Sequence, residues 1–130
     1  MIPEGITTIG RSAFFNVRTL KPVTLPNGLT TIGEMAFSGC TALTSIYLPE
    51  GLTVIGSAAF AGASLTYISL PSTIRRIGSY AFGNCPYLRT INIPETVGRI
   101  EIADDAFMRS NNVPLASQSA LRKIGYTGSF

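Results

Sequence analysis

PNGLTTIGEMAFSGCTALTSIYL, Pro26 to Leu48, decides the fold because the chain repeats its pattern from end to end. Pro3, Pro26, Pro49, Pro71 and Pro94 open the copies, at spacings of 23, 23, 22 and 23 residues (26−3, 49−26, 71−49, 94−71). Each proline is followed by an apolar residue at one offset (Ile6, Leu29, Leu52, Ile74, Val97) and then by an isoleucine (Ile9, Ile32, Ile55, Ile77, Ile100). Glycine follows four of the five isoleucines, and an Ala-Phe pair comes next, at Phe14, Phe37, Phe60, Phe82 and Phe107. A period in this range implies a solenoid, because a unit this short cannot bury its apolar face alone and must stack on its neighbours.

The second half of each copy carries Leu-x-x-Ile-x-Leu, as at Leu43, Ile46 and Leu48. Alternation with period two predicts a short half-buried strand, and the following proline ends it. Stacked copies predict one parallel sheet from residues 22–25, 44–48, 66–70 and 89–93, with strands about 4.8 Å apart. The alternate residues then point outward in two columns. One holds Pro22, Ser45, Tyr67 and Thr90; the other holds Thr24, Tyr47, Ser69 and Asn92. The Ile-Gly-x-x-Ala-Phe half is read as the return bend, with glycine relieving the steric cost of a tight turn. Its phenylalanines are expected to stack as an inner ladder.

These motifs resemble the BspA-like class of leucine-rich repeat proteins over about residues 2–107. The resemblance implies a mainly β repeat solenoid, a leucine-rich-repeat right-handed superhelix with short parallel strands, one per turn. It also implies a protein-binding or adhesive role, at a bacterial cell surface or secreted. One domain is expected over residues 1–130, with repeats at about 3–25, 26–48, 49–70, 71–93 and 94–110 and a cap over 111–130.

The copies are not identical. The third lacks one residue between Gly62 and Leu65, and the fifth has two extra before Phe107. At the N-terminus the sequence starts inside the pattern, with no basic and apolar leader, which reads as a fragment, a short gene product or a design. The exposed first turn then predicts self-association, most simply as a twofold dimer. After Phe107, residues 114–123 are rich in good helix formers, with Arg122 and Lys123 suiting a helix C-terminus and Gly125 its stop. A capping helix is expected, with Val113, Ala116, Ala120, Leu121 and Ile124 as its apolar stripe. The rival reading makes Leu121-x-x-Ile124 a last strand.

Composition bounds the chemistry. The chain holds no histidine, which removes Ser-His-Asp and Cys-His catalysis and histidine metal sites. No enzyme activity and no cofactor are expected. A net charge of +3 is too mild to indicate nucleic acid, and no apolar run approaches the roughly 20 residues that cross a bilayer. Cys40 and Cys85 occupy the same place two turns apart, about 10 Å from one another, so both should be buried free thiols. The pair Asp104 and Asp105 reads as a solvated loop, and Glu4, Glu50 and Glu95 as a column pairing loosely with Arg75, Arg76 and Arg99.

The candidate binding residues are therefore the outward ones of the strand face: Tyr47, Tyr67, Ser45, Ser69, Thr24, Thr90 and Asn92. Tyr47 and Tyr67 lie on adjacent strands as diagonal neighbours, near enough to form one patch. The expected function is a non-catalytic module binding a protein partner through this face. Two alternatives remain open: a carbohydrate surface built on the same tyrosines with Thr24, Thr90 and Asn92, or a purely structural solenoid segment.

Overall fold

A computed structural model of the chain describes residues 2–130. Seven short strands and one helix follow in order: β1 (Thr8–Ile9), β2 (Thr31–Ile32), β3 (Val54–Ile55), β4 (Tyr67–Ser69), β5 (Arg76–Ile77), β6 (Thr90–Asn92), β7 (Glu101–Ile102) and α1 (Leu115–Lys123). All strand pairing is parallel and joins successive solenoid turns.

The more extensive sheet is not where the strand motif placed it. Its five strands, β1-β2-β3-β5-β7, come from the segment ending in Ile-Gly (Ile102-Ala103 in β7), where the return bend is expected. The expected sheet is reduced to two strands, β4 and β6, and residues 22–25 and 44–48 carry no strand. Turn three links to turn two on that side through the Thr66 N–H to the Thr44 carbonyl, 3.1 Å. The isoleucine is what makes the other side regular. Its side chain is buried in every turn up to the fourth, at Ile9, Ile32, Ile55 and Ile77, and the glycine after it donates to the isoleucine carbonyl one turn back at 2.8 Å.

Glycine has a different purpose there from the one its position suggested. Gly33, Gly56 and Gly78 do not adopt positive φ; the left-handed residue is two places on, at Met35, Ala58 and Tyr80. What the glycine provides is room. A Cβ on Gly56 would lie 2.7 Å from the backbone nitrogen of Glu34 in the turn before.

In turn five the register corrects the alignment. Ile77 pairs with Ile102, not Ile100, so the two extra residues fall before β7. Counting five back from Phe107 gives Ile102, the same interval as Ile77 to Phe82, and that spacing was present in the sequence. Ile100 instead donates its N–H to the Ile124 carbonyl, tying the inserted segment to the end of α1.

Five phenylalanines form the spine. Phe14, Phe37, Phe60, Phe82 and Phe107 stack with each centroid 5.3 Å from the next. Their planes are within 10° of parallel, a geometry imposed by the backbone repeat rather than chosen by the rings. Tyr126 closes the ladder edge-on at 5.3 Å from Phe107. The helix that brings it there ends as expected: Gly125 takes φ +117, and the N–H groups of Gly125 and Tyr126 donate to the carbonyls of Arg122 and Leu121. That pair of bonds is the Schellman arrangement. Val113, Leu121 and Ile124 are buried, whereas Ala116 faces solvent and Ala120 only half joins the stripe.

The cysteines do more than fill the wall. Cys40 Sγ donates to the Phe14 carbonyl at 3.1 Å, and Cys85 Sγ to the Phe60 carbonyl at 3.2 Å. In turn five Ser110 makes the same bond, to Phe82, at 2.6 Å. A thiol or hydroxyl at this place thus satisfies a buried carbonyl that Ala63, in turn three, leaves to other partners. Burial pushes the Cys85 thiol up to about 12 and raises that of Cys40. Neither should react with a thiol reagent in the folded protein near neutral pH, and both should react in denaturant. Cys40 has a single turn beyond it on the N-terminal side, so slow native-state labelling, read by mass spectrometry, should reach Cys40 before Cys85.

Candidate functional site

The outward face of the strand side is assembled by the register of β4 and β6. Tyr67 stands beside Thr90, and Ser69 beside Asn92, while Ile68 and Ile91 between them are buried. Asn92 Nδ2 donates to Ser69 Oγ at 2.9 Å across the two strands. Ser45 and Tyr47 lie on the neighbouring segment of turn two with Ile46 and Leu48 turned inward, and Thr24 is exposed one turn further back. All seven candidate residues therefore sit on one side of the stack, as their alternation requires, although only four of them lie in strands.

Tyr47 is 69% exposed and Tyr67 46%. Among the described residues no ring pair joins them; the ring contacts all belong to the phenylalanine ladder and its closure. The two rings do not stack on one another. A third tyrosine, Tyr87, is 55% exposed on the bend leading into β6. It was not among the candidates; its place directly before the buried Leu88, where the other turns carry Thr19, Ala42 and Ser64, marks it as outward. No charged residue stands in either outward column. Lys21 and Arg89 flank the face on one side, Glu50 and Glu95 on the other.

The acidic residues are structural ties between turns. Glu50 accepts from the Ser72 N–H at 3.0 Å and the Ser72 hydroxyl at 2.7 Å, and these bonds hold its carboxyl below the usual range. It does not join the arginine column. The ion pairs among the described residues are Arg11 with Glu34 and Arg76 with Glu101, both between adjacent turns. Such exposed pairs contribute well under ~1 kcal/mol. Asp105 accepts from the Ser79 hydroxyl and the Tyr80 N–H, and Asp104 from the Thr127 hydroxyl, so both carboxylates bind the chain to itself. Among the described residues no group of carboxylates and thiols is placed to hold a metal ion. No helix among them is long and apolar enough to cross a membrane.

Short parallel strands, an inner aromatic ladder and a repeat of 22 or 23 residues define a leucine-rich-repeat solenoid. The family described as BspA type Leucine rich repeat region, in six copies, matches residues 1–125, and the chain belongs to it. Among solved structures it is similar to a leucine-rich repeat protein from Bacteroides ovatus, with 33% identity over 86% of this chain and a TM-score of 0.77. It spans 29% of that protein. The Treponema pallidum leucine-rich repeat protein is 26% identical over 96% of this chain and 79% of its own, with a TM-score of 0.59. A leucine rich cell surface protein from Faecalibacterium prausnitzii, 20% identical over 87% of this chain and 44% of its own at a TM-score of 0.54, shares the fold. No curated protein matches the chain.

Proposed function

We propose that the chain is a non-catalytic protein-binding module that holds its partner on the outward strand face, through Tyr47 and Tyr67 with Ser45, Ser69, Thr90 and Asn92 around them and Thr24 at the margin. The observation that carries this reading is the pair of tyrosines exposed on an uncharged surface while buried neighbours, Ile46 and Leu48 beside Tyr47 and Ile68 beside Tyr67, hold their backbone. Tyrosine offers a large contact area with few rotatable bonds, and the stack beneath has already met the ordering cost that a flexible loop would incur on binding. Membership of the family supports an interaction role. A bacterial surface or secreted location rests on the same likeness, including that to the Faecalibacterium protein named for the cell surface.

The test is binding by the double variant Tyr47→Ala/Tyr67→Ala against candidate surface proteins of neighbouring or host cells. Both side chains are exposed, so unfolding should shift by less than about 0.5 kcal/mol. Two anchors at the centre of an interface are worth about 2 kcal/mol each, enough to remove detectable binding. Wild-type binding that survives the double substitution would refute the face.

The hydroxyl and amide row of Ser69, Thr90 and Asn92, neutral and paired across β4 and β6, favours a second reading as a surface for uncharged carbohydrate. A glycan array run with the same two proteins separates them: sugar capture lost in the double variant, with no protein captured, would favour the carbohydrate.

A further inference from the structure

The corner between the strand side and the five-stranded sheet is a tight turn built on the repeat proline. In turn two it reads Pro26-Asn27-Gly28-Leu29, closed by the Leu29 N–H on the Pro26 carbonyl at 3.2 Å. Pro26 and Leu29 are buried, and Asn27 and Gly28 are exposed. Turns one and three flank this corner, so its surroundings are set by the stack on both sides.

Turn three shows how such a corner is held. There Gly51 takes φ +99, and its N–H donates to the Thr73 hydroxyl of the next turn at 2.9 Å. In turn two the place of Thr73 falls to Gly51, which has no side chain. The Gly28 N–H therefore donates to no group among the described residues, and Gly28 does not adopt positive φ. A Cβ on Gly28 would meet nothing within 4 Å, so the space around its nitrogen is open.

The other asparagines lack this combination. Asn16 and Asn84 precede Val17 and Cys85, whose N–H groups donate to the Phe14 carbonyl and the Ser110 hydroxyl. Asn92, Asn111 and Asn112 precede Ile93, Asn112 and Val113, whose side chains crowd the nitrogen that would attack.

We propose that Asn27-Gly28 is a site of spontaneous modification, at which the folded protein deamidates through a cyclic imide. The Gly28 amide gives its proton to solvent base, and the nitrogen's electron pair forms a bond to Asn27 Cγ. The bond from Cγ to the side-chain amide nitrogen breaks, and that nitrogen leaves as ammonia with a proton from water. Water then opens the ring. Attack at Cγ gives aspartate; attack at the Asn27 backbone carbonyl leaves the chain running through the side chain as isoaspartate. Either product removes one unit from the net charge of +3 and places a carboxylate in the column of Glu4 and Glu50, on the flank of the strand face. Isoaspartate also lengthens the backbone by a methylene between the buried Pro26 and Leu29.

The test is incubation of the folded 130-residue chain at mildly alkaline pH, followed by peptide mapping with fragmentation that tells isoaspartate from aspartate. Asn27 should convert at least about tenfold faster than any other asparagine, to a mixture of both products. Gly28→Ala, whose methyl has room, should slow the conversion at least about tenfold with the circular dichroism unchanged. An Asn27 that stays intact in the folded chain while the excised peptide carrying Asn27-Gly28 converts would overturn the proposal. So would aspartate formed without isoaspartate, which means direct hydrolysis with no ring. Should Gly28→Ala disturb the turn, the product mixture from the unsubstituted chain decides.

Discussion

Phe60→Ala should destabilise the protein by about 3–5 kcal/mol, the largest effect expected of any single truncation in the ladder. Phe60 is fully buried and lies between Phe37 and Phe82, 5.3 Å from each. Its removal leaves a cavity at the middle of the spine, where inter-turn hydrogen bonds on both sides resist collapse. The Phe60 N–H donates to the Ala81 carbonyl and the Phe60 carbonyl accepts the Cys85 thiol, both of turn four, while the Phe37 N–H of turn two donates to the Ala59 carbonyl, so both neighbouring turns are held in place. Phe14→Ala, at the half-buried end with one ring partner, should lose only about 1–2 kcal/mol. Urea unfolding of the two variants measures the contrast. A loss below about 1 kcal/mol for Phe60→Ala would show that the ladder does not hold the stack.

The second large effect is expected from the smallest change. In Gly78→Ala the new methyl would sit 2.6 Å from the Ser57 nitrogen and 2.9 Å from the Gly56 carbonyl carbon. These are backbone atoms of the preceding turn and cannot swing aside, so the two turns must part. Overpacking of this kind costs about 1–3 kcal/mol. Gly10→Ala is the control, because a Cβ there meets nothing within 4 Å. Its stability should be unchanged, or higher by a few tenths of a kcal/mol from the stiffer unfolded chain. The protein carries its own precedent in Ala103, which takes the glycine place in the fifth turn. There the bond to the turn before stretches to 3.1 Å, against 2.8 Å at Gly78. Equal melting temperatures for the two alanine variants would mean that the glycines serve something other than close approach.

The outward face was legible because strand alternation is a local property. Once Ile68 and Ile91 point inward, Tyr67, Ser69, Thr90 and Asn92 must point out, whichever turns finally pair as strands. Tyr87 stands on a bend, where strand alternation gives no signal and only its place in the repeat marks it as outward. The misplacement of the main sheet has a different cause. The Leu-x-x-Ile-x-Leu segment has the stronger strand pattern, but hydrogen bonding between turns depends on how closely their backbones approach. At Gly33, Gly56 and Gly78 a Cβ would come within 3 Å of the preceding turn's backbone, and a gap set by an absent side chain leaves no hydrophobic signal to read.

The sequence by itself determined that this chain stacks short turns, that Phe14 to Phe107 run through its centre, and that Cys40 and Cys85 lie too far apart to join. Each follows from spacing, because residues at equal intervals in a solenoid occupy equivalent places. The structure chose the helix over a last strand for residues 115–123. Only the tertiary structure decided which side of the turn became the extended sheet, that Ile102 takes the fifth rung instead of Ile100, and that the cysteine thiols and Ser110 hydroxyl serve the carbonyls of the preceding turn. Those outcomes depend on contacts between neighbouring turns, where the register of one backbone on the next selects among partners that the sequence pattern leaves equivalent.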